Sequence, residues 1–247
     1  MKKISGNPYI TVEQEKIKLD NFYLDEILKA SKTPFMVILE SRIRNNIKTF
    51  NKVFKSVFNN FQGFYSFKAN FLPEVCSIIN SENFGAEVIS LPELELALHT
   101  GFSSNKILAG GPYLSPEFLE KSIKNEVREI VVYNLNDIEK INDVAFQNDK
   151  IQNVCLRINS NKYGSRLGIN FEDDNISLLK KILQKCENIS FTTLLSHFST
   201  QMNDIKQFKK NVNAISNTKS LLEKSGIEIE KINLGEGFPE AAIMPEA

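Results

Sequence analysis

The sequence predicts an α/β fold, either a (β/α) barrel or a doubly wound parallel sheet. Short runs rich in β-branched and aromatic residues alternate along most of the chain with stretches of helical spacing. Successive runs start roughly 20–40 residues apart, which leaves room for a helix between neighbouring strands. Strands separated by helices pair in parallel, and this spacing favours a barrel in which the loops after the strands carry function.

The predicted strands are short apolar runs, and the segments between them repeat apolar residues at intervals of three and four. In SPEFLEKSIKNE, Ser115 is the predicted N-cap and Pro116 the first helical residue. In chain order the predicted strands are FMVIL (from Phe35), GFYSF (Gly63), AEVI (Ala86), KILA (Lys106), EIVV (Glu129), QNVCLRI (Gln152), SFTTLLSHF (Ser190) and IEIEKINL (Ile227).

The start of the chain has a different pattern. The segment YITVEQEKIKLDNFYL contains short alternating runs with no helix between them, which is typical of an antiparallel hairpin. We therefore expect residues 1–34 to form an antiparallel appendage and lead-in. Residues 35–247 are expected to form the barrel.

Composition narrows the class of protein. Lys and Arg number 30, as do Asp and Glu, and a net charge of zero argues against a nucleic-acid or membrane partner. The three cysteines lack metal-ligand spacing, and the two histidines, His99 and His197, are too few for a His-based metal cluster. No signal-peptide pattern follows MKKISGNPYI, and no run reaches the ~20 apolar residues that span a bilayer. We expect a cytoplasmic globular protein without a bound metal.

Polar residues stand where the predicted strands end. Taken singly, each has an ordinary explanation: Lys68 marks where its strand meets water, His197 is a core histidine, and Arg157 makes a strand-end salt bridge. Gly235 and Gly237 are then simple turn formers. The full set at these positions is Lys68, Glu87, Gly110–Gly111, Arg157, SHFSTQ (196–201) and LGEGFP (234–239).

Taken together, these residues suit a phosphate-bearing cofactor. Hydroxyls and free backbone N–H groups in turns bind phosphate, and a histidine ring stacks on an aromatic ligand. A partly desolvated lysine forms an imine with an aldehyde. Because every candidate has the same relative place in its βα unit, we favour one shared pocket over coincidence.

The motifs resemble those of the fold-type III pyridoxal-phosphate decarboxylases, which include diaminopimelate, ornithine and arginine decarboxylases. FYSFKAN is similar to the family's Y-A-V-K-A-N, and GAEVISLPELELALHTGF to its G-A-D-V-V-S-x-x-E-L-x-x-A-L-x-x-G-F. SHFSTQ is similar to H-I-G-S-Q, and INLGEGFP to L-D-L-G-G-G-F-P. Order and spacing match as well, over a range from about Asn21 to Pro239.

The resemblance implies a role for each matching residue. Lys68 would hold pyridoxal 5′-phosphate as an imine, and His197 would stack on the pyridine ring. Both are therefore the expected catalytic residues. Further cofactor contacts are implied at Thr200, Gly235, Gly237, Glu87 and Arg157. The implied reaction is decarboxylation of a basic or diamino amino acid, in which the cofactor ring takes up the electrons of the departing carboxylate.

The sequence departs from the family pattern in three places. Glu236 replaces the middle glycine of G-G-G-F, and Leu114 stands where many relatives have a lysine. Family members also continue into a strand ending in E-P-G-R and a C-terminal β-domain. The resemblance therefore predicts a barrel without its last strand and β-domain, from a truncated or split enzyme. A homodimer, or a partner chain that carries the remaining part, would complete it.

Other functions stay open at this point. A non-catalytic pyridoxal-phosphate-binding barrel, of the cofactor-homeostasis type, has a similar length and no β-domain. A degenerate decarboxylase with a scaffold role is a further alternative. An amino-acid racemase shares the barrel but lacks this combination of motifs, and we rank it last.

Overall fold

The computed structural model of the chain describes residues 2–3, 9–160, 166–202 and 204–238. The chain forms two compact units, and each is described by itself. One consists of Met1–Gly63 with Leu72–Phe84, and the other of Phe64–Phe71 with Gly85–Ala247. The predicted division at residue 34 stays a prediction.

The first unit contains an antiparallel sheet of four short strands. Strands β2 and β3 form a hairpin in which Ile10 pairs with Leu19. The connecting residues, Gln14 and Glu15, have φ values of 50° and 62°, as a two-residue hairpin turn with the twist of its strands requires. The strands are β1 (Lys2–Lys3), β2 (Ile10–Glu13), β3 (Lys16–Leu19) and β4 (Phe22–Tyr23).

The same unit contains the helices α1 (Leu24–Ala30), α2 (Glu40–Lys55) and α3 (Pro73–Ser81). Aromatic rings on one side of α2 pack together: the ring centroids of Phe50 and Phe54 are 4.5 Å apart. Arg44 on α2 donates hydrogen bonds of 2.8 Å to both Glu40 and Glu82, which ties α2 to the end of α3.

The prediction of a strand at FMVIL is wrong. Residues 35–39 have no regular secondary structure, and no described strand pairs with them. The side chain of Met36 is 89% exposed. An apolar, β-branched run favours an extended backbone, but a strand also requires a neighbouring ladder, which this run does not have.

The second unit contains a seven-stranded sheet in which every strand is parallel to its neighbours. The strand order follows the chain order, from β5 at one edge to β11 at the other. This is the order of a (β/α) barrel rather than of a doubly wound sheet. The strands are β5 (Phe64–Ser66), β6 (Gly85–Val88), β7 (Ile107–Gly110), β8 (Glu129–Val132), β9 (Gln152–Ile158), β10 (Ile189–Ser196) and β11 (Lys231–Asn233).

Helices connect these strands, and one of them begins at the residue that the sequence predicts. Ser115 caps the helix that starts at Pro116, and its side chain accepts a hydrogen bond from Phe118 N, as predicted. Asp204 caps α8 in the same way. The helices are α4 (Leu91–His99), α5 (Pro116–Lys124), α6 (Asn136–Gln147), α7 (Asp173–Lys185) and α8 (Ile205–Lys224). None of these described helices combines the length and hydropathy needed to cross a membrane.

The sheet curls so that its two edges approach each other. Lys68, directly after β5, forms an ion pair with Glu236, which follows β11. The central strands are fully buried, and β7 and β8 have no exposed residue. The predicted strand IEIEKINL is shorter than expected, because β10 offers partners only to Lys231–Asn233.

Candidate active site at the carboxyl ends of the strands

The curled parallel sheet collects the predicted site residues at the carboxyl ends of its strands. Lys68 lies in the 3₁₀ turn Phe67–Ala69 that follows β5, and Glu87 lies near the end of β6. Arg157 is close to the end of β9. His197 comes directly after β10, and the glycine turn 235–237 comes after β11. The loops at this edge therefore carry the candidate chemistry, as expected for such a fold.

Lys68 is partly exposed, and its amine is held by a carboxylate. The Lys68 Nζ donates to Glu236 Oε1, and the two side chains are 42% and 29% exposed. The backbone of FYSF ends its strand at Ser66, and Phe67 is fully buried beside Phe102. Packing of Phe67 anchors the turn, and Lys68 therefore lies at the carboxyl ends of the strands.

Glu87 and Glu236 form a hydrogen-bonded carboxyl pair beside the lysine. Burial, followed by the charge of Glu236, raises the pKa of Glu87 to about 7. For Glu236, burial acts in the same direction, but hydrogen bonds from Glu87 and Lys68 outweigh it and lower the pKa. The Glu87 carboxyl is therefore partly protonated near neutral pH and is able to donate a hydrogen bond to the Glu236 carboxylate.

Arg157 and His197 line the next part of the site. Arg157 is 7% exposed, and its Nη1 donates to the hydroxyl of Tyr133 at 2.9 Å. Its Nε is buried and has no hydrogen-bond partner among the described residues. Burial lowers the pKa of His197, and the positive charge of Arg157 lowers it further. His197 is therefore a neutral ring at neutral pH.

The two glycines of the turn at 235–237 have positive φ. Gly235 has φ +70°, and a Cβ there would lie 2.5 Å from Ser196 O and 2.9 Å from His197 Cα. Gly237 has φ +96°, and its Cβ would lie 2.3 Å from Ser199 O. Only glycine fits these positions, because both the backbone conformation and the close approach exclude a side chain. The turn thus packs directly on the segment that carries His197.

A buried asparagine on α8 holds the ends of two strands together. Asn211 is 2% exposed and accepts a hydrogen bond from Ser196 Oγ at the end of β10. Its Nδ2 donates to Leu234 O, at 2.9 Å, just before the glycine turn. Gly235 N in turn donates to Asn233 Oδ1 at 2.8 Å. This network fixes the position of the turn relative to His197.

Thr200, the predicted phosphate contact in the loop after β10, stays a prediction. It is exposed and lies beyond Ser199, whose hydroxyl donates to Gln201 O at 3.1 Å. Lys68 and Glu87 contact the same carboxylate, and His197 lies against the glycine turn. Pro239, the last residue of the LGEGFP motif, lies outside the described residues.

Three residues important to this site do not follow from the sequence reasoning. Tyr133 comes directly after β8, so the search for polar residues at strand ends could have found it. Asn211 lies within a helix, and its burial has no sequence signal. Glu236 stands out in the sequence only as a departure from the glycine motif, and its contact with Lys68 is visible only in the folded chain.

The residues fit a pyridoxal phosphate group in most respects. The glycine turn offers a cradle that a Cβ would fill, and the N–H groups of Glu236 and Gly237 have no acceptor among the described residues. The unpartnered Arg157 Nε adds a buried donor, and the lysine amine suits an aldehyde. The Glu236 carboxylate conflicts with an anion at this turn. Across the described parts of the chain, no cluster of His, Cys, Asp or Glu could hold a metal ion.

Comparison with known proteins agrees with this geometry. Residues 40–244 match the family model described as "Pyridoxal-dependent decarboxylase, pyridoxal binding domain". A curated relative, diaminopimelate decarboxylase from Methanocaldococcus jannaschii, is 24% identical over 94% of this chain and 57% of its own length. The L-glutamyl-[BtrI acyl-carrier protein] decarboxylase of Niallia circulans is 26% identical over 90% of this chain and 54% of its own length.

The fold is also found among solved structures. The crystal structure of diaminopimelate decarboxylase from M. jannaschii superimposes with a TM-score of 0.87 at 23% identity. The match covers 95% of this chain and 58% of that one. These matches confirm the predicted fold and the predicted resemblance, and the family model confirms pyridoxal as the family's cofactor type. The chain spans between half and two thirds of the length of these relatives.

Proposed function

The chain belongs to the family of pyridoxal-binding domains of pyridoxal-dependent decarboxylases, and from this premise we propose that it binds pyridoxal 5′-phosphate at Lys68 and serves in amino-acid decarboxylation. One observation carries the proposal. The Lys68 amine and the glycine turn 235–237 lie within reach of a single glutamate side chain. A site for an aldehyde and a site for a phosphate are thus separated by about the width of a small aromatic ring.

Each candidate site residue has a separate role in this proposal. Pyridoxal phosphate, when bound, supplies an aldehyde for an amine and a ring that accepts the electron pair left by departing CO₂. Lys68 holds the aldehyde end, and the neutral His197 ring offers a stacking face. The backbone N–H groups of the glycine turn receive the phosphate. Arg157, held by Tyr133, adds positive charge beside the ring.

Glu87 is suited to hold a proton in this reaction. Its pKa of about 7 keeps a large protonated fraction at neutral pH, so it is able to donate and accept a proton beside the lysine. Thr200 remains a proposed phosphate contact, since its hydroxyl lies in the loop that packs on the turn.

The proposed substrate is a basic or diamino amino acid. The resemblance to the diaminopimelate decarboxylase group and the name of the M. jannaschii relative support it. The N. circulans relative, which is named for an acyl-carrier-bound glutamyl group, shows that similar chains serve other substrates. We further propose a cytoplasmic location and association with a second copy or with a chain that carries the E-P-G-R motif.

A second candidate function is favoured by one contact. Glu236 forms an ion pair with the amine of Lys68, and this arrangement suits a pyridoxal-phosphate-binding protein without catalytic activity. Release of CO₂ separates the two functions, because both bind the cofactor but only one decarboxylates an amino acid.

The test uses borohydride reduction of the purified chain with pyridoxal phosphate, followed by peptide mapping. We expect the label at Lys68 and its loss in Lys68→Ala, while Lys48→Ala keeps it. A label confined to another lysine contradicts the proposal. Release of CO₂ from diaminopimelate, lysine, ornithine or arginine, by the chain alone or together with a chain that carries the E-P-G-R motif, supports the decarboxylase. Labelling without CO₂ release in both cases supports the second function.

A further inference from the structure

Glu236 connects the two ends of the proposed cofactor site. Its backbone lies between Gly235 and Gly237, in the turn proposed to receive the phosphate. Its carboxylate lies on Lys68 Nζ, at the position proposed for the aldehyde. The side chain therefore follows the same path, from turn to lysine, that the cofactor ring would take. Side chain and ring cannot occupy this path together, since close-packed atoms do not share volume.

Moving the Glu236 side chain off the lysine does not remove its charge from the site. The residue is fixed by its glycine neighbours, whose positive φ and close contacts with Ser196 and Ser199 hold the turn in place. A displaced carboxylate thus stays within one side-chain length of the turn. There it meets the phosphate of a bound ligand, and two anions at this distance repel each other.

The neighbouring charges do not cancel this repulsion. Among the described residues, Lys68 is the cation that forms an ion pair with Glu236, and this contact is lost when a ligand takes the amine. Glu87 is a carboxyl that already shares a proton with Glu236, and the His197 ring is neutral. Arg157 donates a hydrogen bond to Tyr133, and no ion pair joins it to Glu236 among the described residues. An unphosphorylated ring meets no such penalty.

On the basis of the proposed function, we propose that Glu236 determines which form of the cofactor the site accepts: its carboxylate excludes the ring while paired with Lys68 and selects against the 5′-phosphate once displaced. The ligand class favoured by this device is an aromatic aldehyde without an anionic group at the turn. The chain consequently discriminates less between pyridoxal phosphate and pyridoxal than a chain with glycine at position 236.

The test measures dissociation constants of pyridoxal 5′-phosphate and of pyridoxal for the full 247-residue chain. The variants are Glu236→Gln and Glu236→Gly, with Glu228→Gln as a control that removes an exposed carboxylate elsewhere in the chain. We expect the preference for the phosphorylated ligand to rise by about 10- to 100-fold in both variants, because a like charge nearby costs one or two tenfold steps in affinity. Loss of the ion pair with Lys68 changes the affinity for both ligands equally. The ratio of the two dissociation constants therefore reports the effect of the phosphate group alone.

The results separate this inference from the proposed function. If both ligands bind and the ratio in Glu236→Gln and Glu236→Gly equals that of the unmodified chain, the inference is wrong and the function stands. If neither ligand binds any variant, both are wrong. Glu236→Asp provides a second comparison, since it keeps the charge at the turn but is one methylene shorter. It should retain the ratio of the unmodified chain, and a ratio like that of Glu236→Gln would overturn the role of the charge.

Discussion

Glu87 donates a hydrogen bond to Glu236, although Glu87 lies on β6 and Glu236 follows β11 at the opposite edge of the sheet. Two carboxyl groups make this bond only when one of them is protonated. The curl of the sheet thus creates a proton-holding pair from residues 149 positions apart in the chain (236 − 87). Its stability and ligand affinity should depend on pH in a defined way.

The first prediction concerns stability between pH 5 and pH 8. The ordinary pKa of the Glu87 carboxyl, 4.5, rises to about 7 in the folded chain, so the folded state binds more protons than the unfolded state between these values. Stability from this group is therefore complete below 4.5 and falls as pH rises toward 7. Glu87→Gln should remove about 1–3 kcal/mol of this decline, since each pKa unit corresponds to roughly 1.4 kcal/mol.

Urea unfolding of the unmodified chain and of Glu87→Gln at both pH values measures this difference. Glu228→Gln, which changes an exposed carboxylate, should follow the pH dependence of the unmodified chain. Equal pH dependence in the Glu87→Gln variant would show that the pair holds no proton.

The second prediction concerns His197 as a stacking face. His197→Ala should weaken binding of pyridoxal phosphate by about 2- to 10-fold, because an aromatic contact contributes about 0.5–1.5 kcal/mol. His197→Phe should restore part of the affinity, since it supplies a ring without a titratable group. Fluorescence titration measures both, and His99→Ala, at the exposed end of α4, is the matched control. A phenylalanine no better than alanine would exclude stacking.

The third prediction separates two costs at the glycine turn. Gly235 and Gly226 both have positive φ, at +70° and +81°, but a Cβ at Gly226 meets nothing within 4 Å. Gly226→Ala should therefore cost only the backbone strain, about 1 kcal/mol. Gly235→Ala should cost about 1–3 kcal/mol more, because its Cβ overlaps Ser196 O. Thermal and urea unfolding of both variants give the difference, and equal losses would contradict the close packing of the turn.

The fourth prediction concerns Asn211 as a positioning residue. Asn211→Ala leaves Leu234 O and Ser196 Oγ without their partner in a buried position, which should cost about 1–3 kcal/mol of stability. It should also weaken binding of pyridoxal phosphate, because the carbonyl next to the glycine turn loses its anchor. Asn213→Ala, exposed on the same helix, should change neither quantity. A loss of stability with unchanged affinity would limit Asn211 to a structural role.

The sequence predicts the presence and order of the strands better than the residues at which each strand begins and ends. Alternation of strand and helix patterns indicates the parallel sheet correctly, because each strand from β5 onward pairs with the next one along the chain. FMVIL fails because strand formation depends on a neighbouring ladder, and local composition carries no information on neighbours. The same limit applies to IEIEKINL, of which only Lys231–Asn233 finds partners on β10.

The candidate site residues can be predicted from the sequence only where they lie at the ends of strands. The structure places at strand ends the residues that this rule selects, and their roles stay predictions: Lys68, Glu87, Arg157, His197 and the glycine turn. Contacts that depend on the curl of the sheet cannot be predicted in this way, because the Lys68–Glu236 ion pair joins residues 168 positions apart. The proton shared by Glu87 and Glu236 follows from that proximity and from burial, and neither is encoded in a local motif.

The sequential strand order has a consequence for how the second unit assembles. Each strand from β6 to β11 adds next to the one before it, so pairing can proceed from β5 while later segments are still being synthesised. The Lys68–Glu236 contact differs, because its lysine is made early and its glutamate among the last of the described residues. Loop-closure entropy places such distant contacts late in folding. Until Glu236 has been synthesised and has reached Lys68, the amine of Lys68 lacks this ion pair and is accessible to aldehydes.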